Sequence, residues 1–177
     1  MENNMEFNSC AHLIDTEEYR EAKRYYSDML AAGIDPLSEI LRMQNSLQTK
    51  LAETYPGRCK KPSELKTLGD KYDWIRDNKI AFDDEYSELI SALGGMNKTA
   101  KDRSSLWKKW KSNHEAIRAE QYADLAPNEK LELLFECVDQ VHFFANQILA
   151  LEMSAEDIFC LYYAKNAENF KRYNSGY

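Results

Sequence analysis

The chain has 177 residues, of which 44% are hydrophobic and 30% are charged, and its formal net charge is −7 at pH 7. These values are typical of one globular domain with a sizeable core, and they exclude a disordered chain. The acidic balance argues against a protein that coats nucleic acid. The sequence contains neither a long apolar run nor a basic, apolar N-terminus, so we expect no membrane span and no signal peptide.

Helical periodicity dominates the chain between a few glycine and proline breaks. The predicted helices cover Glu17 to Ala31, Pro36 to about Thr54, Leu65 to Arg76, Ile80 to Leu93, Leu106 to Tyr122, Pro127 to Met153 and residue 155 to about Arg172. Between them, Asn97 to Ser105 is predicted to be a polar, basic loop. Because no segment alternates as a strand would, we predict an all-α helical bundle. It is predicted to form one domain over residues 1–177, with flexible ends at 1–15 and 173–177.

Local signals mark several helix ends. Asp35 is a good N-cap before a proline at the first helical position, and Gly33 is typical of a helix end. Ser154-x-x-Asp157 resembles a capping box. Cys137 and Cys160 fall within apolar helices, so they are predicted to be reduced core cysteines.

Two carboxylate pairs at helical spacing, Glu85-x-x-Glu88 and Glu136-x-x-Asp139, are the strongest chemical signal. Residues three apart lie on one face of a helix, so each pair presents two acidic groups to one region. Oxygen ligands of this kind suit Mg²⁺ or Mn²⁺. A solvated acidic face is the structural alternative, above all for the first pair.

The second pair lies in a segment from Leu131 to Met153 that is apolar nearly all round, as expected of a helix in the middle of a bundle. Buried carboxylates must pair, protonate or bind metal. No lysine or arginine lies between Leu131 and Ala164 to pair with them locally. The sequence therefore favours a metal site.

Basic side chains are concentrated in two segments. Residues 98–118 contain seven basic and two acidic side chains, and residues 165–177 contain three and one. Such segments in an acidic protein with a metal site suit a triphosphate substrate. An ordinary amphipathic surface, or stacking of single-stranded nucleic acid on Trp107 and Trp110, is the alternative.

Four motifs occur in the order found in a known family. They are Glu85-x-x-Glu88, Lys108-Lys-Trp-Lys111, Glu136-x-x-Asp139-x-x-His142-Phe143 and Lys165-Asn166-x-x-Asn169-x-x-Arg172-x-x-x-Gly176-Tyr177. On these motifs the chain resembles the all-α dimeric dUTPases, which belong with the MazG-like enzymes among the all-α NTP pyrophosphohydrolases. It is similar to their T-even bacteriophage branch, the dCTPase–dUTPases. The resemblance covers nearly the whole chain.

The resemblance implies that a homodimer hydrolyses dCTP and dUTP to the monophosphate and pyrophosphate, with Mg²⁺ or Mn²⁺ as cofactor. It implies metal binding by Glu85, Glu88, Glu136 and Asp139, with Glu88, or else Glu85, activating the attacking water. It implies phosphate binding by Lys108, Lys111, Lys165, Asn169 and Arg172, and base or sugar binding by Gln44, Gln48, Trp110, His142, Phe143 and Tyr177.

The implied setting is the cytoplasm of an infected bacterium. There the enzyme would keep cytosine and uracil out of phage DNA and supply monophosphates beside other phage nucleotide-precursor enzymes. No stable nucleic-acid or membrane partner is expected.

Two departures from the family concern base recognition. Gln48 stands where the family has asparagine, and Tyr173 stands where glutamine follows the arginine. Cytosine and uracil exchange donor and acceptor at the 4-position and at N3. Because an amide presents either edge by flipping, the sequence is compatible with both bases.

Two other classes of protein compete with this interpretation. A ferritin-like di-iron protein needs Glu-x-x-His motifs, but Asp139 stands three residues after Glu136 and the chain has only three histidines. A non-catalytic helical assembly partner would leave the acidic pair in the apolar helix unexplained.

Overall fold

The structure is a computed structural model that describes residues 13, 14, 16–93 and 106–174. The described residues form six α-helices: α1 (Glu17–Ala31), α2 (Pro36–Thr54), α3 (Leu68–Leu93), α4 (His114–Arg118), α5 (Pro127–Ala150) and α6 (Ala155–Asn174). Short 3₁₀ turns cover Pro62–Glu64 and Tyr122–Asp124, and this part of the chain contains no β-strand. The predicted all-α class is confirmed. The predictions for Asn97 to Ser105 and Tyr177, and most of those for the ends, lie outside the described residues.

The predicted helix ends are confirmed where local side chains satisfy the backbone. Asp35 accepts a hydrogen bond from the Ser38 backbone N–H at 2.8 Å, directly before Pro36. Gly33 has a φ of +70°, which glycine adopts without the strain that a β-carbon would bring. The side chain of Asp157 accepts from the Ser154 N–H at 2.9 Å, which confirms the capping box.

The prediction of two helices over Leu65 to Arg76 and Ile80 to Leu93 was wrong, because α3 is one continuous helix of 26 residues. No glycine or proline interrupts residues 77–79. Asn78 stays helical there, and its side-chain amide donates to the Trp74 carbonyl at 2.9 Å. Leu65 lies before the helix and is buried, with 2% of its surface exposed.

The predicted helix from Leu106 to Tyr122 is also wrong, since within this segment only His114–Arg118 is α-helical. Residues before it form turns instead. The Lys111 N–H donates to the Lys108 carbonyl, and the His114 N–H donates to the Lys111 carbonyl. Asn113 is the N-cap of α4. Ser112 and Asn113 favour turns and caps over a helix interior, which explains why the helix starts late.

The chain divides into two compact units. The first unit comprises Met1–Lys23 and Lys79–Phe143, and the second comprises Arg24–Asn78 and Phe144–Tyr177. In the second unit, a core cluster contains Leu41, Ala145 and Ile148, with Leu149, Met153 and Ile158 packed against it. In the described part of the first unit the buried side chains are Leu133, His114 and Glu136. Two of these three side chains are polar, and burying a polar side chain costs free energy unless it has a partner.

The expectation that α5 is buried all round is wrong for the single chain. Leu134, Val138, Val141 and Phe144 are each about half exposed, at 45–56% of their surface. Cys137 and Cys160 have free thiols, as predicted, but they are exposed and so are not core residues. None of the described helices combines the length and the hydrophobicity that crossing a membrane requires.

We expect Asp70→Asn to destabilise the protein at neutral pH. The Asp70 carboxylate accepts from the Lys60 ammonium at 2.6 Å and from the Thr67 N–H and hydroxyl, and these bonds hold its pKa well below the usual 3.8. A carboxyl group whose pKa is lowered by folding stabilises the folded state at pH values above its pKa in the unfolded chain. This contribution is lost as the pH falls toward the lowered pKa. The urea midpoints of unfolding of the wild-type protein and of Asp70→Asn should therefore differ above about pH 4 and converge at lower pH. Asp73→Asn on the exposed side of α3 is the control.

Candidate metal centre and nucleotide-site residues

Three of the four predicted metal ligands lie together in the first unit. Glu85 projects from α3, and Glu136 and Asp139 project from one face of α5. One carboxylate oxygen from each residue lies within 4.8 Å of the other two. The spacing of three residues on α5 brings two of them to the same side of the helix, and packing in the unit adds the third.

Glu136 is the most constrained of the three. It is buried, with 8% of its surface exposed, and its Oε2 has no hydrogen-bond partner among the described residues. Burial, and then the charges of Glu88, Glu132, Asp139 and Glu85, raise the pKa of Glu136 to about 7. The pKa of Glu85 is raised in the same way, first by burial and then by Asp139 and Glu88. The negatively charged carboxylates of the cluster therefore repel one another.

The residues present fit a hard divalent cation. All three candidate ligands offer carboxylate oxygen, the donor that Mg²⁺ and Mn²⁺ prefer. Within the described residues, no lysine or arginine forms an ion pair with any of the three. A buried carboxylate oxygen that lacks a partner needs a proton or a cation. A cation would supply that partner and relieve the repulsion.

Glu88 and Glu132 lie around this cluster. Glu88, the fourth predicted ligand, is exposed and does not belong to the group of three, yet its charge acts on Glu136 more strongly than that of any other neighbour. Glu132 was not predicted. Its Oε2 is buried and has no hydrogen-bond partner in the described part of the chain. Its position four residues before Glu136, on the same helical face, is the signal that could have identified it.

The predicted phosphate- and base-binding residues of the first unit differ in exposure. Lys108 is half-buried, with its ammonium 4.8 Å from the centre of the Trp107 ring, whereas Lys111 is exposed. Trp110 is 72% exposed and packs edge-on against Trp107, with ring centres 5.9 Å apart. His142 is exposed and Phe143 half-buried on α5. Their proposed contacts with nucleotide stay predictions.

The remaining predicted site residues belong to the second unit. On α2, Gln44 is buried at 4% exposure and Gln48 is half-buried. On α6, Lys165 and Arg172 are exposed and Asn169 is half-buried, and Arg172 pairs with Glu168 at 3.3 Å. Tyr177 lies outside the described residues.

A chain of side-chain amides links Gln44 to α3 and α5 within the second unit. The Gln44 Nε2 donates to the Asn146 Oδ1 at 2.8 Å, and the Asn146 Nδ2 donates to the Asn78 Oδ1 at 2.7 Å. The Trp74 indole N–H donates to the Asn146 backbone carbonyl at 2.9 Å. Sequence reasoning identified Gln44 but missed Asn146, to which Gln44 donates, and the residues that bond to Asn146, because these residues are far apart in the chain.

The chain is similar to phage proteins over nearly its full length. It is 44% identical over 171 residues to a dCTP pyrophosphatase of Enterobacteria phage LZ5, and 42% identical over 171 residues to a dCTP pyrophosphatase of Enterobacteria phage T4. Each match covers 97% of this chain and 98% of the relative. A DNA replication protein of phage T4 is 41% identical over 160 residues, which cover 90% of this chain but 40% of that protein. No family model and no solved structure matches.

We expect Glu136→Gln to stabilise the metal-free protein at high pH. Because the folded state raises the pKa of Glu136 from 4.5 to about 7, ionisation of this group destabilises the fold progressively across that range. Glutamine cannot ionise. The gain in unfolding free energy should be absent near pH 4.5, grow toward pH 7 and stay below about 3 kcal/mol.

Urea unfolding in EDTA at several pH values measures this gain. Glu156→Gln, at an exposed position of α6, is the matched control. A gain as large at pH 4.5 as above pH 7 would contradict the assignment of the shift to Glu136.

Proposed function

The chain belongs to the dCTP pyrophosphatase family of the T-even phages, and from this premise we propose that it hydrolyses dCTP to dCMP and pyrophosphate. We propose dUTP as a second substrate, hydrolysed to dUMP in the same way. The observation that carries this proposal is the cluster of Glu85, Glu136 and Asp139 with its unpartnered buried oxygen. The cluster favours a phosphate-processing metal enzyme, and it lacks the histidine ligands that a ferritin-like di-iron site uses.

The proposed cofactor is Mg²⁺, which Mn²⁺ can replace, and Glu85, Glu136 and Asp139 would hold it. When bound, such an ion neutralises phosphate charge and lowers the pKa of a coordinated water. Glu88 is exposed and lies outside the group of three, and we propose its carboxylate as the general base that accepts a proton. In the overall step, water adds to phosphorus, the bridge between the α- and β-phosphates breaks, and the proton passes to a carboxylate.

We assign the predicted basic and amide residues to the substrate. Lys108, Lys111, Lys165, Asn169 and Arg172 are proposed to bind the triphosphate, since cations and amide donors suit its charge. Base and sugar contacts are proposed for Gln44, Gln48, Trp110, His142, Phe143 and Tyr177. Amides can read the polar edge of a base, and exposed aromatic rings such as that of Trp110 can stack on it.

We also propose that the protein is a homodimer. Large apolar side chains are exposed on two helices, for example Leu134 and Phe144 on α5 and Tyr162 and Phe170 on α6, at 53–72% of their surface. Apolar exposure on this scale is typical of a surface that another protein covers. Sedimentation equilibrium should give twice the chain mass of 20.6 kDa, and a monomer at micromolar concentration would contradict the proposal.

We propose a role for this activity during phage infection. Destruction of dCTP and dUTP in the cytoplasm of an infected bacterium would limit cytosine and uracil in phage DNA and supply monophosphates to phage precursor enzymes. The test compares the dCTP pool of cells that express the protein with that of cells that express an Asp139→Asn variant. The pool should be smaller with the wild-type protein, and equal pools would contradict the proposed role.

We expect loss of any proposed metal-site carboxylate to slow the reaction. Glu85→Gln, Glu88→Gln, Glu136→Gln and Asp139→Asn should each lower kcat for dCTP by roughly 100-fold, about 2.7 kcal/mol of barrier. Pyrophosphate release from each dNTP with Mg²⁺ measures turnover, and circular dichroism checks that the helices are intact.

Titration calorimetry with Mg²⁺ distinguishes the proposed metal ligands from the proposed general base. The variants at Glu85, Glu136 and Asp139 should bind Mg²⁺ more weakly, whereas Glu88→Gln should retain most of the affinity if Glu88 is the base. Glu156→Gln is the control. Full activity in the Glu136 and Asp139 variants would rule out the metal site.

We expect phosphate and base contacts to separate kinetically. Lys165→Ala and Arg172→Ala should raise KM for dCTP and dUTP alike, because both substrates share the triphosphate. Lys171→Ala, at an exposed neighbouring position, is the control. Gln48→Asn should instead change the ratio of the two substrates, and an unchanged ratio would show that Gln48 does not read the base.

A further inference from the structure

One buried carboxylate of the first unit has no role in the proposed reaction. Glu132 lies on α5, four residues before Glu136 and seven before Asp139. This spacing places the three side chains along one face of the helix, with Glu136 in the middle. Glu132 is half-buried, and its Oε2 is buried without a hydrogen-bond partner among the described residues. Glu136 beside it is only 8% exposed and has an unpartnered Oε2 as well.

Glu132 acts electrostatically on the proposed metal site. Its charge raises the pKa of Glu136, and among the neighbouring charges only that of Glu88 has a larger effect. The charges of Asp139 and Glu85, which belong to the group of three, have smaller effects. The interaction between two charges weakens with distance and with exposure to water. This order therefore indicates that the carboxylate of Glu132 lies near that of Glu136 in a poorly solvated region.

The common structural reasons for a buried acid do not apply to Glu132 in the described part of the chain. No lysine or arginine there forms an ion pair with it. Helix capping is not its role either, because the carboxylate of Glu129 already accepts from the Ala126 N–H at 2.9 Å. Glu132 also lies beyond the first turn of α5, where the helix dipole favours an acid. The remaining explanation is the cation site beside Glu136.

The distance along α5 decides how Glu132 would reach a cation. A helix rises about 1.5 Å per residue, so Glu132 and Asp139 are about 10 Å apart along the axis, whereas Glu136 and Asp139 are about 4.5 Å apart. Accordingly, Glu136 and Asp139 belong to the group whose oxygens lie within 4.8 Å of one another, and Glu132 does not. A direct oxygen ligand lies about 2 Å from Mg²⁺, whereas an oxygen that accepts from a metal-bound water lies roughly 4 Å away. The position of Glu132 outside the group fits the second arrangement.

We propose that Glu132 is a positioning residue of the metal site, whose buried carboxylate accepts hydrogen bonds from water ligands of the cation held by Glu85, Glu136 and Asp139. This inference rests on the cation site of the proposed function. Mg²⁺ usually keeps several of its waters in proteins, and replacing a residue that bonds to metal ligands typically costs roughly 10- to 100-fold in metal affinity. A water ligand would give the Glu132 Oε2 the donor that the described residues do not supply.

Mg²⁺ affinity, measured by titration calorimetry, tests this role in Glu132→Gln. This variant keeps the size of the side chain but loses its charge, so it should bind Mg²⁺ about tenfold more weakly. Asp84→Asn is the matched control, because Asp84 is exposed on α3 and its charge also acts on Glu85. Its affinity should stay within about twofold of wild type, since water and salt screen an exposed charge. Unchanged affinity in Glu132→Gln, or an equal loss in Asp84→Asn, would overturn the inference.

Water proton relaxation with bound Mn²⁺ distinguishes a positioning residue from a direct ligand. In Asp139→Ala a direct ligand is lost, so about one further water should coordinate the ion in the vacated position. In Glu132→Ala, at saturating Mn²⁺, the number of coordinated waters should equal that of the wild-type protein. A further coordinated water in Glu132→Ala would make Glu132 a direct ligand and overturn the inference.

Urea unfolding in EDTA separates this role from support of the fold. Without a cation the charge of Glu132 only repels its neighbours, so the unfolding midpoint of Glu132→Gln should equal or exceed that of the wild type. A lower midpoint with unchanged Mg²⁺ affinity would show a structural role and overturn the inference, while the metal site and dCTP turnover stand. Absence of Mg²⁺ binding by the wild-type protein would instead overturn the proposed metal site, and this inference with it.

Discussion

Mutual repulsion among carboxylates is the constraint on which the first unit depends. Glu85, Glu136 and Asp139 share one small volume, and Glu88 and Glu132 add charge around it. Burial first, and then this repulsion, raise the pKa values of Glu85 and Glu136. A fold retains such a cluster at a cost to its stability. The cost is consistent with the cation that we propose for this cluster.

The two compact units meet the cost of burying polar groups in different ways. In the second unit, Gln44 and Asn146 are buried because each amide has a complementary partner. In the first unit, buried oxygens of Glu132 and Glu136 have no partner among the described residues. Buried polar groups that have hydrogen-bond partners make the packing rigid, whereas buried polar groups that lack partners favour binding of a ligand that can supply them.

Several apolar side chains of α5 are exposed in the single chain. The side chains of α5 that the sequence pattern assigns to a core include Val138 and Phe144, which are about half exposed here. Periodicity indicates which residues avoid water, and it does not distinguish a core within one chain from an interface between chains. The apolar pattern of α5 is therefore compatible with burial in a homodimer.

The sequence by itself determined what depends on neighbours along the chain. The helix caps at Asp35 and Ser154, the all-α class and the two carboxylate pairs all follow from spacings of three or four residues, where backbone geometry fixes proximity. Tertiary structure decided the rest. Only packing shows that Glu85 joins Glu136 and Asp139 while Glu88 stays outside, and that Gln44 meets Asn146 at a separation of 102 residues. Such contacts arise from how helices pack against one another, and no local spacing in the sequence encodes them.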